Sequence, residues 1–309
     1  MALFVSSEQQ SFANFTHAYN IAGELLYSQQ SIALIEAFEV DCQLPEGVTD
    51  GFEITTELFD VDSARLIYQG EGSFSGGMKQ VSVWERGHIQ LLRVGANNFS
   101  LTNFVTGHIR LLGCYQTDQL ESAEILLGPP LLTLLATKSV FCLHAGAVAT
   151  EYGAAVFIGE SGRGKSTLSQ SVAGSHWQRL GDDIMPVSLS EDNVFLIPRF
   201  PQLKRKLQHL SYTLESLVAI FRLLEPATHQ QVECQLTQGS EALITLSRHT
   251  AASRVFNERL LKENMVFNRN VLNKIPIYNL SYPRDFNCLD HVRDTVSKVL
   301  IKHSGQIDR

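Results

Sequence analysis

Alternation of apolar and polar positions dominates the first third of the chain. The runs 52–58, 64–68, 79–85 and 89–94 are rich in Val, Ile, Thr and aromatic residues, and Gly70, Gly72, Gly76, Gly77 and Gly87 punctuate them at turn positions. Val81, Val83 and Glu85 share one side while Ser82, Trp84 and Arg86 share the other, the period of a pleated strand. This predicts a small antiparallel sheet, preceded by a helix around residues 21–38. The character shifts near Gln119. Residues 121–127 lead to Pro129-Pro130, where a helix can begin because proline's missing N–H would be unpaired in a first turn anyway. Two apolar runs follow, 140–149 and 154–158, parted by a turn at 151–153. Further strands are expected at 177–180, 184–187, 194–197 and 232–236, helices at 212–224, 251–261 and 289–301, and a frayed tail at 303–309. The chain divides into a β-rich N-terminal domain, 1–120, and an α/β domain, 121–309.

The run 154–158 feeds directly into Gly159-Glu160-Ser161-Gly162-Arg163-Gly164-Lys165-Ser166-Thr167, which matches G-x-x-x-x-G-K-[ST] in the strand–loop–helix context that motif requires. Glycines let a backbone curl until successive N–H groups point at one anion, where side chains would clash. A helix is expected over 165–173, so its positive end faces the same anion. In that setting Lys165 reaches the β- and γ-phosphates of ATP and the Ser166 hydroxyl ligates Mg²⁺. Arg163 either contacts phosphate or faces water.

Seventeen residues beyond Lys165 stands Asp182-Asp183, at the end of the short strand expected at 177–180. A helix of about three turns returns the chain as a strand beside the loop's own strand, which sets the acids near the phosphates at a carboxyl-terminal strand end. One carboxylate can then take a proton from an attacking hydroxyl while the other holds the metal. Alone, such a pair more often makes a surface turn. His144 lies in the apolar run 140–149, fifteen residues before Gly159, where a hydrogen-bonded core role competes with a catalytic one.

Composition narrows the field. Hydrophobic residues make up 44% and charged residues 18%, an ordinary globular balance, and a net charge of −7 gives no general attraction to nucleic acid or anionic lipid. Five scattered cysteines (Cys42, Cys114, Cys142, Cys234, Cys288) argue against a disulfide framework and for a reducing compartment. The N-terminus MALFVSSEQQ lacks a signal peptide's basic and apolar regions. The apolar region 125–149 is broken by Pro129, Pro130, Lys138 and His144, so it reads as core and not as a membrane span. The expectation is a cytoplasmic protein.

The stretch from Leu143-His144-Ala145-Gly146 to Tyr152-Gly153, then the loop, then Arg179-Leu180-Gly181-Asp182-Asp183, resembles the core of the HPr serine kinases over roughly residues 121–200. More loosely, residues from Tyr19 onward and 128–137 resemble a group of HPr-kinase-related proteins. The resemblance implies a P-loop kinase core with the mixed sheet of the HPr kinase and phosphoenolpyruvate carboxykinase type. It implies Asp182 as base, His144 assisting, and Lys165 and Ser166 on the nucleotide; the remaining metal ligand is not given by the resemblance, and Asp183, beside the base, is the residue taken for it. It implies ATP and Mg²⁺ as cofactors, transfer to a hydroxyl of a protein or peptide, most of all serine, and by analogy a homo-oligomer. The chain departs from the family after the acid pair, where the glutamate-containing signature is replaced by Ile197-Pro198-Arg199-Phe200-Pro201-Gln202-Leu203-Lys204-Arg205-Lys206. That puts HPr as acceptor and the reverse phosphorylase reaction in doubt. The cations Arg199, Lys204, Arg205 and Lys206 either clamp the transferring phosphoryl group or form a solvated face. The alternatives are a nucleotide-gated binding module without phosphotransfer, or a small-molecule kinase. Carboxykinase, ABC-type and motor functions lack their further motifs, and the N-terminal domain serves acceptor recognition or oligomerisation.

Overall fold

The computed structural model describes residues 3–7, 15–42, 59–113, 119–171, 176–203, 213–226 and 231–304. These form two compact units, residues 1–138 with 254–261, and residues 139–253 with 262–309. The strand expected at 52–58, the cations Lys204, Arg205 and Lys206, Cys114 and the last residues of the tail lie outside the described residues.

Among the described residues, the first unit holds an eight-stranded sheet. Its strands are β1 (Leu3–Ser7), β2 (His17–Ile21), β3 (Glu24–Ser28), β4 (Arg65–Phe74), β5 (Gly77–Arg86), β6 (Ile89–Val94), β7 (Asn98–Asn103) and β8 (His108–Gly113). The order is β2-β3-β1-β8-β7-β6-β5-β4, antiparallel except that β1 runs parallel to both of its neighbours. Alternation does place Val81 and Val83 in the core, at 5% and 0% exposure. The helix expected at 21–38 is instead a hairpin followed by a 3₁₀ turn at Ala33–Phe38. Ala22 and Gly23 explain the change: both sit at positive φ, 53° and 82°, the conformation a two-residue hairpin turn demands. The sheet is followed by α1 (Leu120–Leu127) and α2 (Pro129–Thr137), the latter opening on proline as expected. Residues Leu120–Thr137 together are apolar enough to cross a membrane by length and composition, yet 61% of that stretch is buried, as core helices are.

The second unit contains β9 (Phe141–Thr150), β10 (Gly153–Ile158), α3 (Lys165–Gln170), β11 (Gln178–Leu189), β12 (Val194–Leu196), β13 (Glu215–Leu223), β14 (Glu233–Thr237) and α4 (Gly239–Arg248), then most of α5 (Glu258–Lys274), β15 (Ile277–Ser281) and α6 (Leu289–Ser304). Its sheet is mixed, in the order β10-β9-β11-β12-β13-β15-β14, and β10 also pairs with β13 in parallel, so β9 to β13 close a ring of pairings. The segment 212–224 is a strand from Glu215 on and not a helix. Leu217, Val218, Ala219, Ile220 and Phe221 are all at most 2% exposed, and an apolar run buried on both faces carries no period by which sequence could assign it. The helix expected at 251–261 is a 3₁₀ turn at Ser253–Val255 followed by the longer α5. The core joins β10 and β13 to α6 through Phe157, Phe221, Trp177, Val292 and Val296. The four cysteines among the described residues are all free.

Candidate functional site

The loop Gly159–Thr167 emerges from the end of β10, whose residues Ala154 to Ile158 are fully buried and bonded on both edges, antiparallel to β9 and parallel to β13. That gives the loop a rigid root. Gly159, Gly162 and Gly164 adopt φ of 151°, 79° and 96°. Gly159 has a second constraint, because a Cβ there would lie 2.9 Å from the Leu223 carbonyl oxygen. Gly164 immediately precedes α3, and a Cβ on it would lie 2.9 Å from the Tyr282 hydroxyl.

Helix α3 lies against β9 at Gly146, where a Cβ would come within 3.1 Å of the Lys165 carbonyl oxygen and of Ser169. The glycine is therefore a close-approach position, which lets the loop and β9 share a cavity. Lys165 is 8% exposed, and its ammonium donates to the carbonyls of Gly159 at 2.6 Å and Glu160 at 3.1 Å. Arg163 points elsewhere and pairs with the exposed carboxylate of Glu225.

The acid pair does not end a strand beside β10. It stands in the middle of β11, which is antiparallel to β9 and separated from β10 by it. The aspartates read as a turn signal because of their usual backbone habits, but here Asp182 is satisfied by tertiary partners and the strand continues through it. Asp182 is 6% exposed. Its carboxylate accepts from Ser166 Oγ at 2.8 Å, Gln170 Nε2 at 3.4 Å and Arg179 at 3.3 Å. Its backbone N–H donates to Gln202 Oε1 at 2.7 Å, while Gln202 Nε2 donates to the carbonyls of Ile184 and Phe200.

Asp183 has φ of +102°, a left-handed conformation that a non-glycine residue holds at a cost of about 1–3 kcal/mol. Neighbouring side chains in a regular strand point to opposite faces. Departing from that geometry lets both carboxylates line one cavity. Asp183 Oδ1 lies 3.2 Å from His144 Nδ1. His144 in turn donates its backbone N–H to the His249 carbonyl at 2.8 Å.

His144, Ser161, Gly162, Gly164, Lys165, Ser166, Thr167, Asp182 and Asp183 thus line a single cavity of about 340 Å³. Gln170, Arg179, Gln202 and His249 surround it and were not singled out by sequence reasoning as site residues. Burial pushes the His249 imidazole down to about 4, with Glu160 opposing and Lys165, His144 and Arg222 reinforcing the drop. It is neutral at physiological pH.

No protein-family model matches this chain, and no curated protein matches it. Among solved structures it is similar to the HPr(Ser) kinase/phosphatase from Coxiella burnetii, at 11% identity and a TM-score of 0.30, over 52% of this chain and 97% of that one. A likeness at that level is silent on activity, which rests on the geometry of the cavity alone.

Proposed function

We propose that the second unit is a Mg-ATP-dependent phosphotransferase of the HPr-kinase-like type, passing the γ-phosphoryl group to a hydroxyl of a protein, a peptide or a small molecule. The observation that carries this reading is the 2.8 Å contact between the loop hydroxyl of Ser166 and the carboxylate of Asp182, in one cavity with Lys165, His144 and Asp183. A turn that merely contained glycine and lysine needs no buried carboxylate on its serine.

The residues fit the implied groups. Ser166 Oγ and Asp182 are hard oxygen donors already in contact. No group of three or more His, Cys, Asp or Glu residues able to hold a metal occurs among the described residues. Mg²⁺ at a nucleotide needs no more than one or two carboxylates, with phosphate and water oxygens completing its shell. When bound, it would neutralise charge developing on the phosphoryl oxygens. The curled loop supports a triphosphate by its backbone N–H groups and by Lys165, whose ammonium would exchange two loop carbonyls for phosphate oxygens.

The resemblance made Asp182 the base, which left Asp183 for the metal; the contacts favour the reverse division. Asp182 sits on Ser166, the metal side, whereas Asp183 faces His144. The attacking hydroxyl would give its proton to Asp183 as its oxygen bonds to phosphorus and ADP leaves. His144 Nδ1 would hold that carboxylate in position. Proton transfer by a positioned group contributes a factor on the order of 10²–10⁴ in rate.

Calorimetry with Mg-ATP and incubation of a cell extract with γ-labelled ATP test the proposal together. Lys165→Ala and Asp182→Asn should weaken Mg-ATP binding. Asp183→Asn should bind normally and lose transfer of label by at least about a hundredfold. Wild-type protein that binds no Mg-ATP refutes the reading. Binding without label on any acceptor replaces the kinase with a nucleotide-gated module.

A further inference from the structure

A second cavity, of about 270 Å³, lies against the same loop. It shares Gly162, Gly164 and Thr167 with the first, so the same stretch of loop walls both. Their chemistry differs. The first is lined by a lysine, hydroxyls and carboxylates; the second by Leu224, Pro226, Tyr282, Pro283, Phe286 and Leu289.

Phe286 is 80% exposed, a large apolar ring left at the mouth of this cavity. Its backbone is not loose. It opens a 3₁₀ turn, Phe286–Cys288, capped by the Asp285 side chain, which accepts from the Asn287 N–H at 2.9 Å. Two guanidinium groups at the rim are tied down as well. Arg163 pairs with Glu225, and Arg284 donates to the Gly162 carbonyl at 3.1 Å. Burial raises the Tyr282 hydroxyl to about 12, so that side chain remains a neutral wall against Gly164.

We infer that this second cavity receives the base and sugar of the nucleotide, with the Phe286 ring stacking on the base. The inference rests on the function proposed above and adds the half of the ligand that the loop motif does not address. Three features favour a nucleoside over a peptide segment. The cavity shares a wall with the phosphate cradle, so one ligand can span both. At about 270 Å³ it lies near the lower end of the range for small-molecule pockets, the scale of a nucleoside and not of a longer peptide. Its polar groups are charges held by internal partners, which leaves flat apolar and guanidinium surface, and every base has a π-face that such surface accepts.

The test is calorimetric. Dissociation constants of ATP and of inorganic tripolyphosphate, each with Mg²⁺, are measured for the wild type and for Phe286→Ala. An 80% exposed side chain can be truncated without emptying the core, so the variant folds. ATP should bind the wild type more tightly than tripolyphosphate, and Phe286→Ala should raise the ATP dissociation constant about tenfold while leaving tripolyphosphate unchanged. Equal affinity of the wild type for the two ligands overturns the inference, as does a variant that weakens neither or both alike. Those outcomes leave the phosphate cradle standing. Failure of both ligands to bind the wild type removes the proposed function and this inference together.

Discussion

Gly162 and Gly164 offer a controlled pair, because both hold positive φ, 79° and 96°, and differ in what a side chain would meet. A Cβ on Gly162 enters open space, whereas one on Gly164 lies 2.9 Å from the Tyr282 hydroxyl. Left-handed backbone costs an L-residue roughly 1–2 kcal/mol, so Gly162→Ala should lose about that much. Gly164→Ala should lose the same and roughly 1 kcal/mol more for displacing Tyr282, the low end of overpacking penalties. Tyr282→Phe removes the obstructing oxygen. In that background the excess penalty of Gly164→Ala should vanish, a coupling of about 1 kcal/mol that a double-mutant cycle reads directly. The chain has two tryptophans, and Trp177 packs on Phe157 at 6.2 Å in the second unit. In a Trp84→Phe background its fluorescence reports urea unfolding of that unit alone. Equal urea midpoints for Gly162→Ala and Gly164→Ala, or an excess that survives Tyr282→Phe, would refute the contact argument. No loss in either variant would refute the left-handed loop itself.

Two other positions separate stability from activity. Asp183→Gly removes the strain at φ +102° and should stabilise the unit by about 1 kcal/mol, read as a higher urea midpoint, while abolishing transfer of label from ATP; a variant both less stable and fully active contradicts the proposed role. His249 falls from 6.5 to about 4 on folding. Between those values the unfolded chain holds more protons, so stability is complete above about pH 6.5 and declines toward pH 4, by on the order of 3 kcal/mol. His249→Gln should flatten that dependence in urea titrations, and an unchanged slope would place its origin elsewhere.

The parts of the structure that were legible in sequence are those whose patterns are local. The hairpin of β9 and β10, the glycine loop after it and the proline start of α2 each follow from a few adjacent residues. The strand β13 was not legible, since burial on both faces erases the alternation that marks a strand. Helix α5 was expected too early and too short, at 251–261, for the opposite reason: it carries buried Asn264 and Asn268, polar residues that weaken its apolar stripe. In the cavity, the motif residues could be read, but their partners could not. Gln202 and His249 reach it only through strand register and a chain return, and neither has a neighbour in sequence that marks it. The proposed division of labour between Asp182 and Asp183 follows from contacts across the cavity and from the positive φ of Asp183, which no residue type announces.

The antiparallel pairing of β9 with β10 ends with Ala145 matched to Ile158, so His144 and Gly159, each the next residue along, lie at the same end of the hairpin. The interval between histidine and loop in the primary structure is therefore the length of a folded-over ribbon, counted up one arm and down the other. Residues added at the Glu151-Tyr152 bend would lengthen the count without moving either group. A relative could keep the same chemistry behind a different interval, invisible to any search that fixes the number and apparent to one that tracks which positions face each other.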